Sequence, residues 1–157
     1  MVDDPNTATG VRLDLQPGSL PTNVDQIQID ATHFNNRDGF SPAVQIFTAF
    51  PSGVDAATLP KLNDMAVSVT ANSSTIILDM DRGELVAHFS EVDVNEMYDI
   101  ATQALYLRPA ARLREKTRYA VAIRKSVLDP TGKPLESPAG FQAILNGDSS
   151  NHPLLEK

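Results

Sequence analysis

Apolar and polar residues alternate in short stretches along this chain, and turn-forming residues separate them. Val11, Leu13 and Leu15 alternate with Arg12 and Asp14 and stop at Pro17-Gly18, which predicts a half-buried first strand. From Gly18 to Gly39 the text is polar and turn-rich, a long loop with one helical turn near Thr32 to Asn36. Val44, Ile46, Thr48 and Phe50 share one face of a second strand, with Gln45 and Phe47 on the other, and Pro51-Ser52-Gly53 ends it. Leu62, Met65, Ala66 and Val69 fall at helical spacing behind Asn63 or Asp64 as a cap, which predicts a short internal helix to about Val69.

The second half reads more regularly. Ser73 to Asp79, a turn through Asp81-Arg82-Gly83, and Glu84 to Phe89 predict a hairpin. His88 faces outward beside Phe89 in that reading. Leu105 and Leu107 begin a further strand closed by Pro109, and Tyr119, Val121 and Ile123 alternate with their neighbours from Arg118 to Arg124, with Tyr119 expected in the core. Asp129 to Pro134 is a turn sequence, and Phe141 to Leu145 is expected as a last short strand. About seven short strands without alternating helices predict a mainly β chain, an antiparallel sandwich with one or two short helices and long loops. One domain is expected over residues 1–150, its strand pattern running from about 11 to 145. Residues 151–157 read as the start of a truncated downstream segment, because His152-Pro153-Leu154-Leu155 opens a helix with nothing following to pack against.

Composition narrows the classes of partner. The 157 residues carry 13 Lys and Arg against 20 Asp and Glu, a net charge of −7, which argues against nucleic acid and anionic membranes. The longest apolar runs, such as Thr75 to Leu78, are far too short to span a bilayer. With no Cys, disulfides, thiolate zinc sites and cysteine nucleophiles are excluded. Met1-Val2-Asp3-Asp4-Pro5 lacks the basic and apolar regions of a secretory leader.

Candidate chemistry is sparse. A serine hydrolase of the α/β type needs Ser on a Gly-x-Ser-x-Gly elbow, and Gly39-Phe40-Ser41-Pro42 is the closest approach. Pro42 offers no N–H to an oxyanion, so Ser41 reads as part of a turn. His33, His88 and His152 lack the spacing of a metal motif. Asp79, Asp81, Glu84, Glu91, Asp93, Glu96 and Asp99 fall within 21 residues, and clustered oxygen ligands suit calcium. Counted from Asp79, however, Gly83 stands at position 5 instead of 6 and Ser90 stands where an EF-hand needs a bidentate Glu. Asp79, Asp81, Glu84 and Asp93 are the calcium candidates against a solvated hairpin tip; otherwise no cofactor is expected. Seven of the 13 basic residues lie between Arg108 and Lys125 and offset that acidic stretch, with Arg118 and Arg124 able to face carboxylates. Carbohydrate-binding sandwiches present flat aromatic platforms, and there is no Trp here, only Tyr98, Tyr106 and Tyr119. The Asn- and Asp-rich loop from His33 to Pro42 can bind a small polar ligand, dock against a following domain through Phe34 and Phe40, or plug this domain's own core with the same rings, packing being favoured over ligand binding, with Leu154 as a further interface candidate.

Two stretches carry a family likeness. Ala104-Leu105-Tyr106-Leu107-Arg108-Pro109, Leu113, Thr117-Arg118-Tyr119-Ala120-Val121-Ala122-Ile123, Leu128 to Leu135 and Phe141 together resemble a bacterial Ig-like domain. Thr9 to Leu15, Asn36-Arg37-Asp38-Gly39-Phe40-Ser41-Pro42, Ile46 and Phe50 are similar to the N-terminal region of large secreted bacterial lipases and esterases, including the virulence-factor lipase type. The resemblance implies an Ig-like sandwich without catalytic residues of its own. It would be the accessory module of a secreted or surface-located bacterial ester hydrolase, with the downstream catalytic domain of the same polypeptide as partner. A free-standing extracellular adhesion or glycan-binding module is the alternative.

Overall fold

The computed structural model describes residues 1–95 and 99–147. Among the described residues the chain is mainly extended, with eight short strands in three antiparallel sheets, three 3-10 turns and one α-helix. Two compact units divide it, residues 1–44 with 112–116, and residues 45–111 with the chain from 117 onward.

In the smaller unit, β1 (Val2–Asp3) pairs with β2 (Val11–Arg12), with Asp4 and Arg12 3.6 Å apart. The expected strand through Leu15 stops at Arg12 because the next residues find their partners in the loop. Leu13 N–H donates to Arg37 O at 2.8 Å, and the Asn35 side chain accepts from Leu15 N–H and donates to Leu15 O. The helical turn expected near Thr32 is a 3-10 turn, Ala31–His33, capped by the Asp30 carboxylate on Thr32 N–H.

The larger unit holds two three-stranded sheets. One runs in the order β3 (Ile46–Ala49), β7 (Ala104–Pro109), β6 (His88–Val92); the other runs β5 (Glu84–Leu85), β4 (Thr75–Asp79), β8 (Tyr119–Ile123). Both contribute to one core: Ile77 from the second and Leu105 and Leu107 from the first are buried together with Phe50, Val54, Leu59 and Val127, and Tyr119 packs on it half-buried. The predicted hairpin forms between β4 and β5, where Gly83 takes φ +70° and its N–H closes the loop on Asp79 O at 2.8 Å. The chain then changes sheet within two residues. Val86 N–H still donates to Ile77 O, whereas Ala87 O already accepts from Ala110 N–H beside β7.

Three expectations need correction. The expected last strand is an α-helix, α1 (Ala139–Leu145): Pro138 O accepts from Gln142 N–H, and Gly147, at φ +72°, ends the helix by donating to Ile144 O. The expected amphipathic helix is a kinked 3-10 segment, Leu62–Val69, preceded by Lys61 and broken at Asp64. The break at Asp64 takes Leu62 out of line with the following turn, where three residues per turn align Met65 with Ser68, so Ser68 is buried while Leu62 and Val69 stay exposed. His88 points inward and is fully buried. The segment from residue 151, with His152 and Leu154, and the residues Glu96 and Tyr98 lie outside the described residues. Among the described residues no helix is long and apolar enough to cross a membrane.

Ile77 has no exposed surface, and Ile77→Ala is expected to lower the unfolding free energy by about 2–5 kcal/mol. Val24→Ala, at a side chain 95% exposed, is expected to change it by less than about 0.5 kcal/mol. Urea unfolding of both variants checks the difference.

Candidate functional site

The inward rows of β4 and β6 are unexpectedly polar. Thr75 and His88 are fully buried and Ser90 nearly so, and Ser68 comes in from the 3-10 segment beside them. His88 Nδ1 lies 2.8 Å from Val86 O, and since a carbonyl only accepts, this nitrogen carries the proton. Nε2 therefore accepts from the Thr75 hydroxyl at 2.8 Å, which leaves the Thr75 oxygen to accept from Ser90 Oγ at 3.0 Å. His88 N–H donates to Ser68 Oγ at 2.9 Å, and Ser68 donates onward to Met65 O. Every buried side-chain polar atom among the described residues has a partner.

A hydroxyl donating to an imidazole has the connectivity of an activated nucleophile. Here the imidazole is backed by a carbonyl and not a carboxylate, and Thr75 and His88 are fully buried, so the arrangement ties the two sheets together. Burial holds the His88 imidazole below its ordinary pKa of 6.5, with the Val86 carbonyl pulling weakly the other way.

The four calcium candidates have other partners. Asp79 is buried and its Oδ1 accepts from the N–H groups of Asp81 and Arg82 at 3.1 and 3.0 Å. Asp81 lies 3.9 Å from Arg118, Glu84 lies 3.9 Å from Arg82, and Asp93 Oδ1 accepts from Asn95 N–H. Among the described residues no three His, Asp or Glu side chains form a group able to hold a metal ion. The basic stretch is likewise engaged: Arg108 pairs with Glu91, Arg112 with Glu115, and Arg124 donates to Ala71 O. In the turn at Asp129, Oδ1 collects Lys133 N–H, Thr131 N–H and the Thr131 hydroxyl. The Lys133 N–H bond above all holds that carboxyl below the usual carboxylate range.

The loop from His33 to Pro42 does not plug the core. Phe34 is 46% and Phe40 62% exposed, yet the backbone between them is fixed by Leu13 N–H on Arg37 O, by Asn35 on Leu15, and by the Thr9 hydroxyl on Asp38 O. Ser41 sits in a turn, accepting from Ala43 N–H through Oγ and from Val44 N–H through its carbonyl. His33 is exposed at the end of its 3-10 turn. The loop thus presents two rings on a pinned support.

Sequence reasoning missed the buried network, and the signal available for it was modest: Thr75, His88 and Ser90 fall at the inward parity of their strands, two residues from Ile77 or from each other. Comparison with known protein families, with curated proteins and with solved structures finds no match for this chain.

Because the folded state keeps His88 below 6.5 and the unfolded state does not, unfolded chains bind more protons below that pH. The stability contributed by neutral His88 is complete above about pH 6.5 and is lost as pH falls through the lowered value. The unfolding midpoint of the protein is expected to drop as pH falls below about 6.5, and that drop is expected to flatten in His88→Gln. Parallel slopes in the two proteins would exclude His88 as its source.

Proposed function

We propose that this chain is a non-catalytic accessory module of a larger secreted bacterial ester hydrolase, an Ig-like sandwich that packs against the catalytic part and positions it. The observation that carries the reading is the pinned loop with Phe34 and Phe40 turned to solvent. Exposed rings on a support held by at least three separate hydrogen-bonded ties lose little conformational entropy on docking, which is what a persistent interface needs. The sandwich reading is supported by two three-stranded antiparallel sheets that share one core. The likeness of Asn36 to Pro42 to secreted lipases supplies the class of parent protein.

A second reading, an adhesion or glycan-binding module, has one observation in its favour: the exposed Phe47 ring stands 5.9 Å from Tyr106. The two rings are tilted by 45° and the Arg108 guanidinium lies 4.8 Å over Tyr106, so the pair does not offer two open coplanar platforms. The accessory reading therefore stands first.

Ester hydrolysis by this chain and by the polypeptide extended downstream along its gene separates the readings. Activity is expected in the extended form alone, and Phe34→Ser with Phe40→Ser is expected to weaken the packing there by about 2 kcal/mol or more, read as a lower melting temperature. Hydrolysis by the 157-residue chain that Ser41→Ala abolishes would overturn the proposal. Inactivity of both forms, with retention on a polysaccharide column lost in Phe47→Ala, would favour the second reading.

A further inference from the structure

Each three-stranded sheet of the larger unit has two outer strands, and an outer strand exposes backbone N–H and C=O groups that invite another strand to pair. Three of these four edges are guarded. At β6, Ser90 N–H donates to Pro60 O at 2.8 Å and His88 N–H to Ser68 Oγ, so the 3-10 segment and Pro60, two residues before it, close that side. β5 is two residues long. β8 is bracketed by exposed Arg118 and Arg124, and flanking charge of this kind discourages edge-to-edge pairing.

The β3 edge has none of these devices. Gln45-Ile46-Phe47-Thr48-Ala49-Phe50 contains no charge, no Pro and no Gly, the composition of a segment that adds strands readily. Among the described residues, Ile46 to Ala49 form backbone hydrogen bonds only within the ladder to β7, and Phe47 is 67% exposed.

We infer that β3 pairs antiparallel with β3 of a second copy of this chain, joining two three-stranded sheets into one of six. This pairing uses none of the residues of the Phe34 and Phe40 loop and does not rest on the accessory reading. The edge calls for an extended, uncharged strand with apolar side chains on both faces, and β3 is itself such a strand, so a two-fold axis uses the same patch twice. An axis normal to the sheet keeps every residue on its own face. Centred on Phe47, the pairing sets Phe47 opposite the partner's Phe47, Ile46 opposite the partner's Thr48 and Gln45 opposite the partner's Ala49. Tyr106 lies directly across from Phe47 within each copy, so four aromatic rings form one row over the seam. Centring on Thr48 would instead set Phe47 against the partner's Ala49 and lose the aromatic pair. On this face the nearest charged groups, Arg108 and Glu91, are already paired with each other. No ion pair holds the seam together, while each copy carries −7 overall. Added salt therefore screens repulsion and strengthens the dimer.

The chain has no cysteine, so a single introduced one reports on register. Antiparallel partners sit about 4.5–5.5 Å apart at Cα, within the span of a disulfide. Phe47→Cys is expected to give a covalent dimer under diamide, whereas Gln45→Cys, opposite the partner's Ala49, is expected to stay monomeric on a denaturing gel. Independently of cysteine, sedimentation of the 157-residue chain is expected to show a monomer–dimer equilibrium that tightens with salt. Phe47→Lys is expected to raise its dissociation constant at least about tenfold, with an unchanged circular dichroism spectrum because Phe47 is exposed. A single-chain mass at every concentration, a dimer indifferent to Phe47→Lys, or equal cross-linking at both positions would overturn the inference. A chain that is monomeric alone yet binds an added uncharged extended peptide would overturn it too, placing a foreign strand at this edge.

Discussion

The hydroxyl of Thr75, held between the His88 imidazole and Ser90 Oγ, is the contact on which the larger unit depends. Thr75 belongs to one sheet and His88 and Ser90 to the other, and the chain passes between the sheets immediately before His88. The passage is short because His88 Nδ1 returns to Val86 O, two residues back, just where the ladder with Ile77 ends. One imidazole thus fixes the turn-over of the backbone and the seam between sheets. Its geometry leaves little freedom, since the Val86 carbonyl sets the tautomer, the tautomer sets the direction of the Thr75 hydroxyl, and that sets Ser90. An apolar side chain at any of these positions would strand a buried donor or acceptor, which costs more than the hydrogen bond itself contributes.

Protonation attacks the same point. A second proton on the ring would sit on Nε2 and face the Thr75 hydroxyl hydrogen, which would have to turn toward Ser90. No carboxylate hydrogen-bonds to the ring to offset the charge. Burial favours the neutral ring, and so couples the joint between the sheets to pH.

What the sequence made legible follows from how local each signal is. β7 and the hairpin of β4 and β5 are legible because their signals are local, Leu105 and Leu107 at the inward parity and the turn through Asp81-Arg82-Gly83, while β8 forms where its alternation predicts although Val121 is exposed and its burial does not alternate. The inward side of His88 is not legible from its own strand, since its side-chain and backbone partners lie 13 and 20 residues away in Thr75 and Ser68. The α1 segment was misread because Phe141, Ala143 and Leu145 fit period two, while the bracket of Pro138 before and Gly147 after marks a helix. The first strand was overextended because its pattern continues to Leu15, yet the partner there is the Asn35 side chain, which alternation does not reveal. Of the candidate surface, Phe34 and Phe40 were identified by residue type, but the choice between core plug and exposed ring rested on non-local hydrogen bonds and was open at that level.

The usual placement of polar and aromatic residues is reversed at two levels. Inside, Ser68, Ser73, Thr75, Asp79, His88 and Ser90 occupy buried positions that apolar residues would fill in an ordinary sheet core; outside, Phe34, Phe40 and Phe47 stand in solvent. A scattered exposed apolar residue is normal and needs no explanation. These three are distinguished by their supports: the first two flank a loop held by Asn35, and Phe47 lies on a strand paired along its whole length to β7. Directional interior bonds specify one packing at the expense of apolar burial, and a specified packing is what keeps exposed rings at constant positions. Within the larger unit, the bonds from Thr75 to His88 and Ser90 hold β4 against β6, and β7, paired with both β6 and β3, carries that order to the strand on which Phe47 stands.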